Sequence, residues 1–155
     1  MKLRTLSKSD IKLLNKQIFE LYSLELFNKK DNVQKLDIEG SEYIKVNDEV
    51  AFFYFEKKLV PTIKLLLKNN FLKRVVVDMG SIKFLCNGAD VLRPGIVKVE
   101  ESISKNDTVS IVDEKNNKCI AIGKTLYASN EINSMDSGKV IKNIHYVGDN
   151  IWSIS

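Results

Sequence analysis

The segment from Val75 to Ile96, VVVDMGSIKFLCNGADVLRPGI, constrains the fold of this chain more than any other stretch. Val75 to Val77 is a continuous β-branched run, the pattern of a buried strand. The run stops at Asp78, and Gly80 lets the backbone turn sharply into a short helix over Gly80 to Cys86, ended by Asn87-Gly88. Gly88 and Ala89 allow close backbone approach, and Pro94-Gly95 turns the chain into the next strand. Small residues around a helix start open a cleft in which backbone N–H groups can face a phosphate or a base. Lys83, Arg93 and Lys98 are cations in or beside that cleft, and Arg93 is one of three arginines, with Arg4 and Arg74. A guanidinium makes planar, bidentate contacts with phosphate and stacks on a base. The same glycines and proline serve equally well to shape a barrel corner, with Arg93 paired to Asp90, so the residues alone leave binding and scaffold open.

The flanking sequence divides in two. Ser7 or Ser9 caps a helix with Asp10 in its first turn, and Ile11, Leu14, Ile18 and Leu21 recur at helical spacing. Val33–Ile38, Tyr43–Val46 and Val50–Phe55 read as strands, broken by Gly40-Ser41 and by a tight turn at Asn47-Asp48. The AFFYF run in the third reads as core rather than as a surface on which bases stack. Pro61 is expected to open a helix at its first turn, carried by Ile63, Leu65, Leu66 and Leu67 to Asn69-Asn70. A boundary falls near residues 70–73. Beyond it, Ile96–Val99, Thr108–Val112, Ile120–Tyr127, Val140–Val147 and Ile151–Ile154 read as short strands, a spacing that suggests a small barrel or sandwich.

Several function classes are excluded or made remote. No apolar run reaches the roughly 18 residues that a membrane helix needs, and MKLRTLSKSD lacks the features of a signal peptide, so a cytoplasmic protein with no membrane partner is expected. Cys86 and Cys119 are far apart and read as reduced, packed thiols. His145 is the only histidine, so no multi-histidine metal site exists, and no cofactor is expected. There is no GxSxG, P-loop or metal-ligand spacing, and Asp107 and Asp113 lie in turn-like polar contexts, so an enzyme is not expected. A net charge of +4 permits nucleic-acid binding without demanding it.

The segment Val75 to Ile96 resembles the opening of the PUA domain, the module named for pseudouridine synthases and archaeosine transglycosylases. The match lies at Val76, Val77, Asp78, Gly80, Gly88, Ala89, Asp90, Val91, Pro94, Gly95 and Ile96. AIGKTLYAS resembles the central strand of that domain, and GKVIKNIHYVGDNIW its closing strands. Asn143-Ile144-His145-Tyr146 followed by Asp149 and Trp152 is similar to the close of the malignant T-cell-amplified-sequence family and its archaeal relatives. Val60-Pro61-Thr62-Ile63 is similar to the helix start in that family's pre-PUA domain. Ser81 stands where alanine is usual, and Leu92 where methionine is common.

The resemblance implies an α+β protein: a small N-terminal α/β pre-PUA domain, residues 1–72, packed on a C-terminal PUA pseudo-barrel, residues 73–155, mostly antiparallel β with short helices. It further implies binding of structured RNA, tRNA or rRNA, often through the acceptor end of tRNA. The cleft between the short helix, its following loop and the second strand would use Gly80, Ser81, Lys83, Phe84, Gly88, Ala89, Asp90, Arg93, Gly95 and Lys98. Lys83, Arg93 and Lys98 would hold phosphates, backbone around Gly88 to Asp90 would meet a terminal nucleotide, and Tyr146 and Trp152 would mainly pack the core. Implied partners are the small ribosomal subunit and a density-regulated-protein-like chain. A contrasting expectation is a protein-interaction module that docks through AFFYF or the N-terminal helix.

Overall fold

The computed structural model describes all residues from Met1 to Ser155. They form a mixed α+β fold of two compact units, Met1–Thr62 with Ile154–Ser155, and Ile63–Ser153. No helix is long and apolar enough to cross a membrane.

The first unit opens with β1 (Lys2–Thr5) and α1 (Lys8–Tyr22), then runs as a meander through β2 (Val33–Ile38), β3 (Ser41–Val46), β4 (Glu49–Phe55) and β5 (Lys58–Pro61). The strands make one antiparallel sheet in the order β1-β2-β3-β4-β5. Ser7 is the helix cap: its hydroxyl accepts from the Asp10 N–H and the Asp10 carboxylate accepts from the Ser7 N–H, a reciprocal capping box. Leu14 and Ile18, one turn apart, are the helix positions buried, and the Tyr22 hydroxyl donates to the Leu59 carbonyl in β5. In AFFYF, Ala51, Phe52 and Phe53 are buried, in keeping with a core role.

Two strands of this sheet differ from the sequence expectation. β1 is short, fully exposed and half charged, so it shows no alternation to read. β5 occupies the opposite edge, where the missing N–H of Pro61 breaks no ladder, so proline ends a strand and the helix begins only at Ile63. The hairpin turns Glu39-Gly40, Asn47-Asp48 and Glu56-Lys57 each hold both central residues at positive φ, the geometry that follows strand twist. Glu56 and Lys57 supply neither glycine nor asparagine, so that turn is strained and carries no sequence signal.

The second unit begins with α2 (Ile63–Lys68), which packs on the central strand of its sheet. It continues through β6 (Arg74–Val77), a 3-10 turn over Met79–Ser81, α3 (Ile82–Leu85), β7 (Val91–Leu92), a second 3-10 turn over Arg93–Gly95, β8 (Ile96–Val99) and β9 (Thr108–Asp113). β10 (Cys119–Thr125), α4 (Ser129–Asn133), β11 (Lys139–Tyr146) and α5 (Asn150–Ile154) complete it. The sheet order is β7-β11-β10-β9-β6-β8, antiparallel except where β6 runs parallel to β9. Val75, Val77, Leu85, Val109, Ile111, Ile132 and Ile141 are fully or almost fully buried in a single core. Both cysteines are free thiols, and burial pushes the Cys119 thiol up to about 11.

Ile151–Ile154, expected to be a strand, is the helix α5. The reason is Asp149: after Gly148 at positive φ, its carboxylate accepts from the Trp152 N–H (2.8 Å), which caps a helix. The same carboxylate accepts from the Tyr146 N–H (2.9 Å) and from Nδ1 of His145 (2.8 Å). His145 is fully buried, and its Nε2 accepts from the Ile63 N–H at the start of α2 (3.1 Å). An accepting Nε2 leaves the ring proton on Nδ1, so the imidazole is neutral and donates to Asp149. Burial works against charge on Asp149, but the hydrogen bonds from His145, Trp152 and Tyr146 outweigh it and hold this carboxyl below its ordinary 3.8.

Two outcomes are expected. Replacing Lys57 with glycine relieves one left-handed residue and raises stability by about 0.5–1 kcal/mol in urea unfolding. Because the folded carboxyl is more acidic than the unfolded one, its contribution is present above the ordinary value of 3.8 and lost as pH falls through the folded value. The stability margin of wild type over Asp149→Asn, from urea unfolding across pH, is therefore full at neutral pH and shrinks on acidification past that value.

Candidate functional site

Between β6 and β8 the chain makes two tight turns that face one another. Asp78 ends β6 in extended conformation, and its Oδ1 accepts from both the Ser81 N–H (2.9 Å) and the Ser81 hydroxyl (2.8 Å). The Asp78 N–H donates to the Gly95 carbonyl (2.9 Å), which ties the first turn to the second. A Cβ on Gly95 would overlap the Ser81 hydroxyl oxygen, whereas the Ser81 Cβ sits at an ordinary 3.6 Å. Glycine at this position therefore answers directly to the serine at position 81.

The loop after α3 is fixed from β11. The Asn143 side-chain NH2 donates to the Leu85 and Ala89 carbonyls (both 3.0 Å), and its backbone N–H donates to Asp90 Oδ1 (2.8 Å). Asp90 Oδ2 takes the Lys139 ammonium at 3.1 Å. Gly88 holds φ +91°, and a side chain there would meet the Tyr146 ring at 3.4 Å. The Arg93 N–H donates to the Gly138 carbonyl, which closes β7 against β11.

These turns enclose a cavity of about 480 Å³. Of the ten residues expected at a site, Gly80, Ser81, Phe84, Ala89, Asp90 and Gly95 line it together. Lys83 and Gly88 lie outside the lining, the Lys83 ammonium resting 5.2 Å from the centre of the Phe84 ring. Lys98 is exposed on the edge strand β8, also away from the lining. Arg93 does not pair with Asp90. Its Nε donates to the Ile132 carbonyl (2.7 Å) and an Nη to the Ile96 carbonyl (3.3 Å), so the guanidinium braces α4 and β8. Asp90 takes Lys139 instead because both lie on the β7–β11 side of the turn.

The cavity has apolar walls and an apolar rim. Leu85 and Val91 are buried at its base, while Phe84 is 58% and Leu92 57% exposed at its mouth. Its charged lining is acidic, Asp78 and Asp90, and both carboxylates are engaged by protein donors. Such a pocket accepts the face of an aromatic base more readily than a bare phosphate. Asn143, which holds the whole loop, stands in the sequence as a polar residue inside a strand that opens the Asn143–Tyr146 resemblance, with no sign there that it ties the loop. Leu92 is visible beforehand only as a departure from methionine.

The fold and this groove define a PUA-domain protein, and the family model for the PUA domain matches residues 73–147. The uncharacterized protein MJ1432 of Methanocaldococcus jannaschii is 45% identical over 151 residues, 96% of this chain and 93% of that one. Translation machinery-associated protein 20 of Schizosaccharomyces pombe is 32% identical over 135 residues, 83% of this chain and 75% of the relative. Among solved structures, the hypothetical protein PH0734.1 of Pyrococcus horikoshii superposes with a TM-score of 0.85 at 33% identity, over 99% of each chain. The chain belongs to the family of the malignant T-cell-amplified sequence and translation machinery-associated 20 proteins.

The glycine–serine fit gives a sharp test. Gly95→Ala is expected to cost about 1–3 kcal/mol by overpacking, and adding Ser81→Ala should recover most of that loss in a double-mutant cycle of urea unfolding.

Proposed function

We propose that this protein is a non-catalytic RNA-binding protein of translation, acting in the cytoplasm, whose groove takes an unpaired terminal nucleotide of a structured RNA. The acceptor end of tRNA, or an rRNA end at the small ribosomal subunit during initiation or recycling, has that character. The observation that carries this reading is the apolar, base-sized cavity with Phe84 exposed at its mouth and the Lys83 ammonium beside the ring. A base stacks on or behind Phe84, its 5′ phosphate meets Lys83, and the backbone from Gly88 to Asp90 reads its edge. Gly80, Ser81 and Gly95 shape the floor, Arg93 holds the second turn in place, and Lys98 contributes an outlying phosphate contact.

Family membership supports the translation setting, and with it the small ribosomal subunit and a density-regulated-protein-like chain as partners to test. We take residues 73–155 as the RNA-contacting PUA domain and 1–72 as the pre-PUA domain. The exposed apolar rim of Phe84 and Leu92 also suits a protein surface on a translation factor. Salt separates the two, since phosphate contacts release counterions and apolar contacts do not.

Fluorescence anisotropy with labelled tRNA, intact and trimmed of its terminal CCA, tests the proposal over a salt series. Binding should fall steeply with salt and on trimming. Phe84→Ala should weaken it about tenfold, within the range of one stacked base, and Lys83→Gln should reduce the salt slope by about one. Both side chains are exposed, so melting temperatures should not move. Salt-insensitive binding, or none at low salt, would transfer the groove to the protein-docking reading.

A further inference from the structure

Charge is ordered along the C-terminal groove. Outside the lining, the Lys83 ammonium lies beside Phe84, 5.2 Å from the centre of its ring. Inside, the charged side chains are two carboxylates, Asp78 and Asp90, and no lysine or arginine joins them. The two are not equivalent. Asp90 is neutralised by the Lys139 ammonium at 3.1 Å and held by the Asn143 N–H. Asp78 pairs with no cation, and its Oδ1 accepts only from the neutral N–H and hydroxyl of Ser81. The other oxygen, Oδ2, takes no protein donor and stays open to solvent.

A charged acceptor between apolar walls binds a donor strongly and repels an anion. The lining side chains offer a phosphate nothing in return. The Ser81 hydroxyl proton is committed to Asp78, and the Arg93 guanidinium next to the lining is bonded to carbonyl groups. An RNA chain that enters past Lys83 therefore leaves its phosphate outside and carries an uncharged group inward. The 3′-terminal nucleotide meets that condition. Beyond its own 5′ phosphate it has only a base and a ribose whose 2′ and 3′ hydroxyl groups are both donors. A 5′-phosphorylated end, with its phosphate leading, does not.

We propose that the groove is selective for an RNA 3′ end with free hydroxyl groups, and that Asp78 is the residue that sets this selectivity. Its Oδ2 accepts from a hydroxyl of the terminal ribose, and its charge rejects an end that carries a 3′-phosphate. The proposal rests on the RNA-binding reading above, in which the 5′ phosphate of the bound nucleotide meets Lys83. It adds which end enters and in what chemical form. The groove itself is defined by its apolar walls and Phe84, independently of the two carboxylates.

The experiment is fluorescence anisotropy of the full chain with an RNA hairpin that has a single-stranded 3′ tail and a label at its 5′ end. The tail ends either in a free 3′-hydroxyl or in a 3′-phosphate, and the ratio of the two affinities is read. Wild type should bind the hydroxyl end at least about tenfold more tightly, the effect of a like charge brought against Asp78. Asp78→Asn keeps an oxygen for Ser81 but removes the charge, and should bring the ratio close to one. Glu101→Gln, the same charge change on an exposed loop outside the lining, should leave it unchanged. Lys139→Gln strips Asp90 of its cation and should widen the ratio about threefold. The Lys139 side chain is half exposed, so this variant keeps the test decisive even if Asp78→Asn proves unfolded in thermal melts. Equal affinity of wild type for the two ends, or preference for the phosphate, overturns the proposal. So does a ratio that Asp78→Asn, folded, leaves in place or that Lys139→Gln does not widen. If the ends are bound equally and Phe84→Ala still weakens both, the groove reading survives alone. Failure of wild type to bind either RNA overturns both readings.

Discussion

Everything in the C-terminal groove hangs on the side chain of Asn143. Helix α3 is a single turn, far too short to hold itself by its own hydrogen bonds. Its last carbonyl groups accept from the N–H groups of Asn87, Gly88 and Ala89, but those bonds are local and tie nothing to the sheet. Asn143 reaches across from β11, the strand next to the edge strand β7, and satisfies Leu85 and Ala89 while its backbone fixes Asp90. The cavity keeps its shape because that loop is pinned to the sheet and not because the loop is rigid by itself. The pairing of Asp90 with Lys139 then neutralises a carboxylate that would repel a phosphate at the mouth.

The second anchor is the chain from Ile63 through His145 to Asp149. A buried neutral imidazole is an economical connector: one nitrogen accepts and the other donates, so it joins a helix start to a carboxylate without leaving a net charge on the ring. Asp149 in turn organises the turn after β11 and starts α5. The only histidine in the sequence is thus structural. Two elements remote in sequence, α2 and α5, take their starting positions from one strand.

The legible part of this fold is the part fixed by local chemistry. Val75–Val77, the turn at Gly80, the positive φ at Gly88 and the Pro94-Gly95 turn follow from residues a few positions apart, and all are found. The Ser7 cap and the Asn47-Asp48 hairpin are of the same kind. Where tertiary partners decide, the sequence is mute or misleading. Ile151–Ile154 reads as a short apolar strand, yet one carboxylate upstream makes it a helix. Pro61 resembles a helix start, yet an edge position lets it end a strand. The turn at Glu56-Lys57 is imposed by the sheet on residues that do not favour it. Six of the ten expected residues converge because they lie on or beside the two local turns: Gly80, Ser81, Ala89 and Gly95 are small, with Phe84 and Asp90 next to them. The placement of Arg93 is not legible in the sequence, because its acceptors include a carbonyl of α4, contributed by Ile132.

The division of labour between cations and apolar surface bears on what the groove can discriminate. With Arg93 bonded to carbonyl groups and Lys139 paired with Asp90, the cation beside Phe84 is the exposed Lys83, and the net charge of the whole chain is only +4. Attraction for phosphate is therefore weak at this groove, and a continuous duplex, which offers phosphate but hides its base faces, gains little from it. An unpaired base offers what the walls and Phe84 can use: a flat apolar face and an edge to be read by backbone. In the proposed function the groove thus selects an end over a helix by what it lacks as much as by what it holds. Selectivity of that kind comes at modest affinity, and a second contact elsewhere on the same RNA adds binding strength without altering the choice.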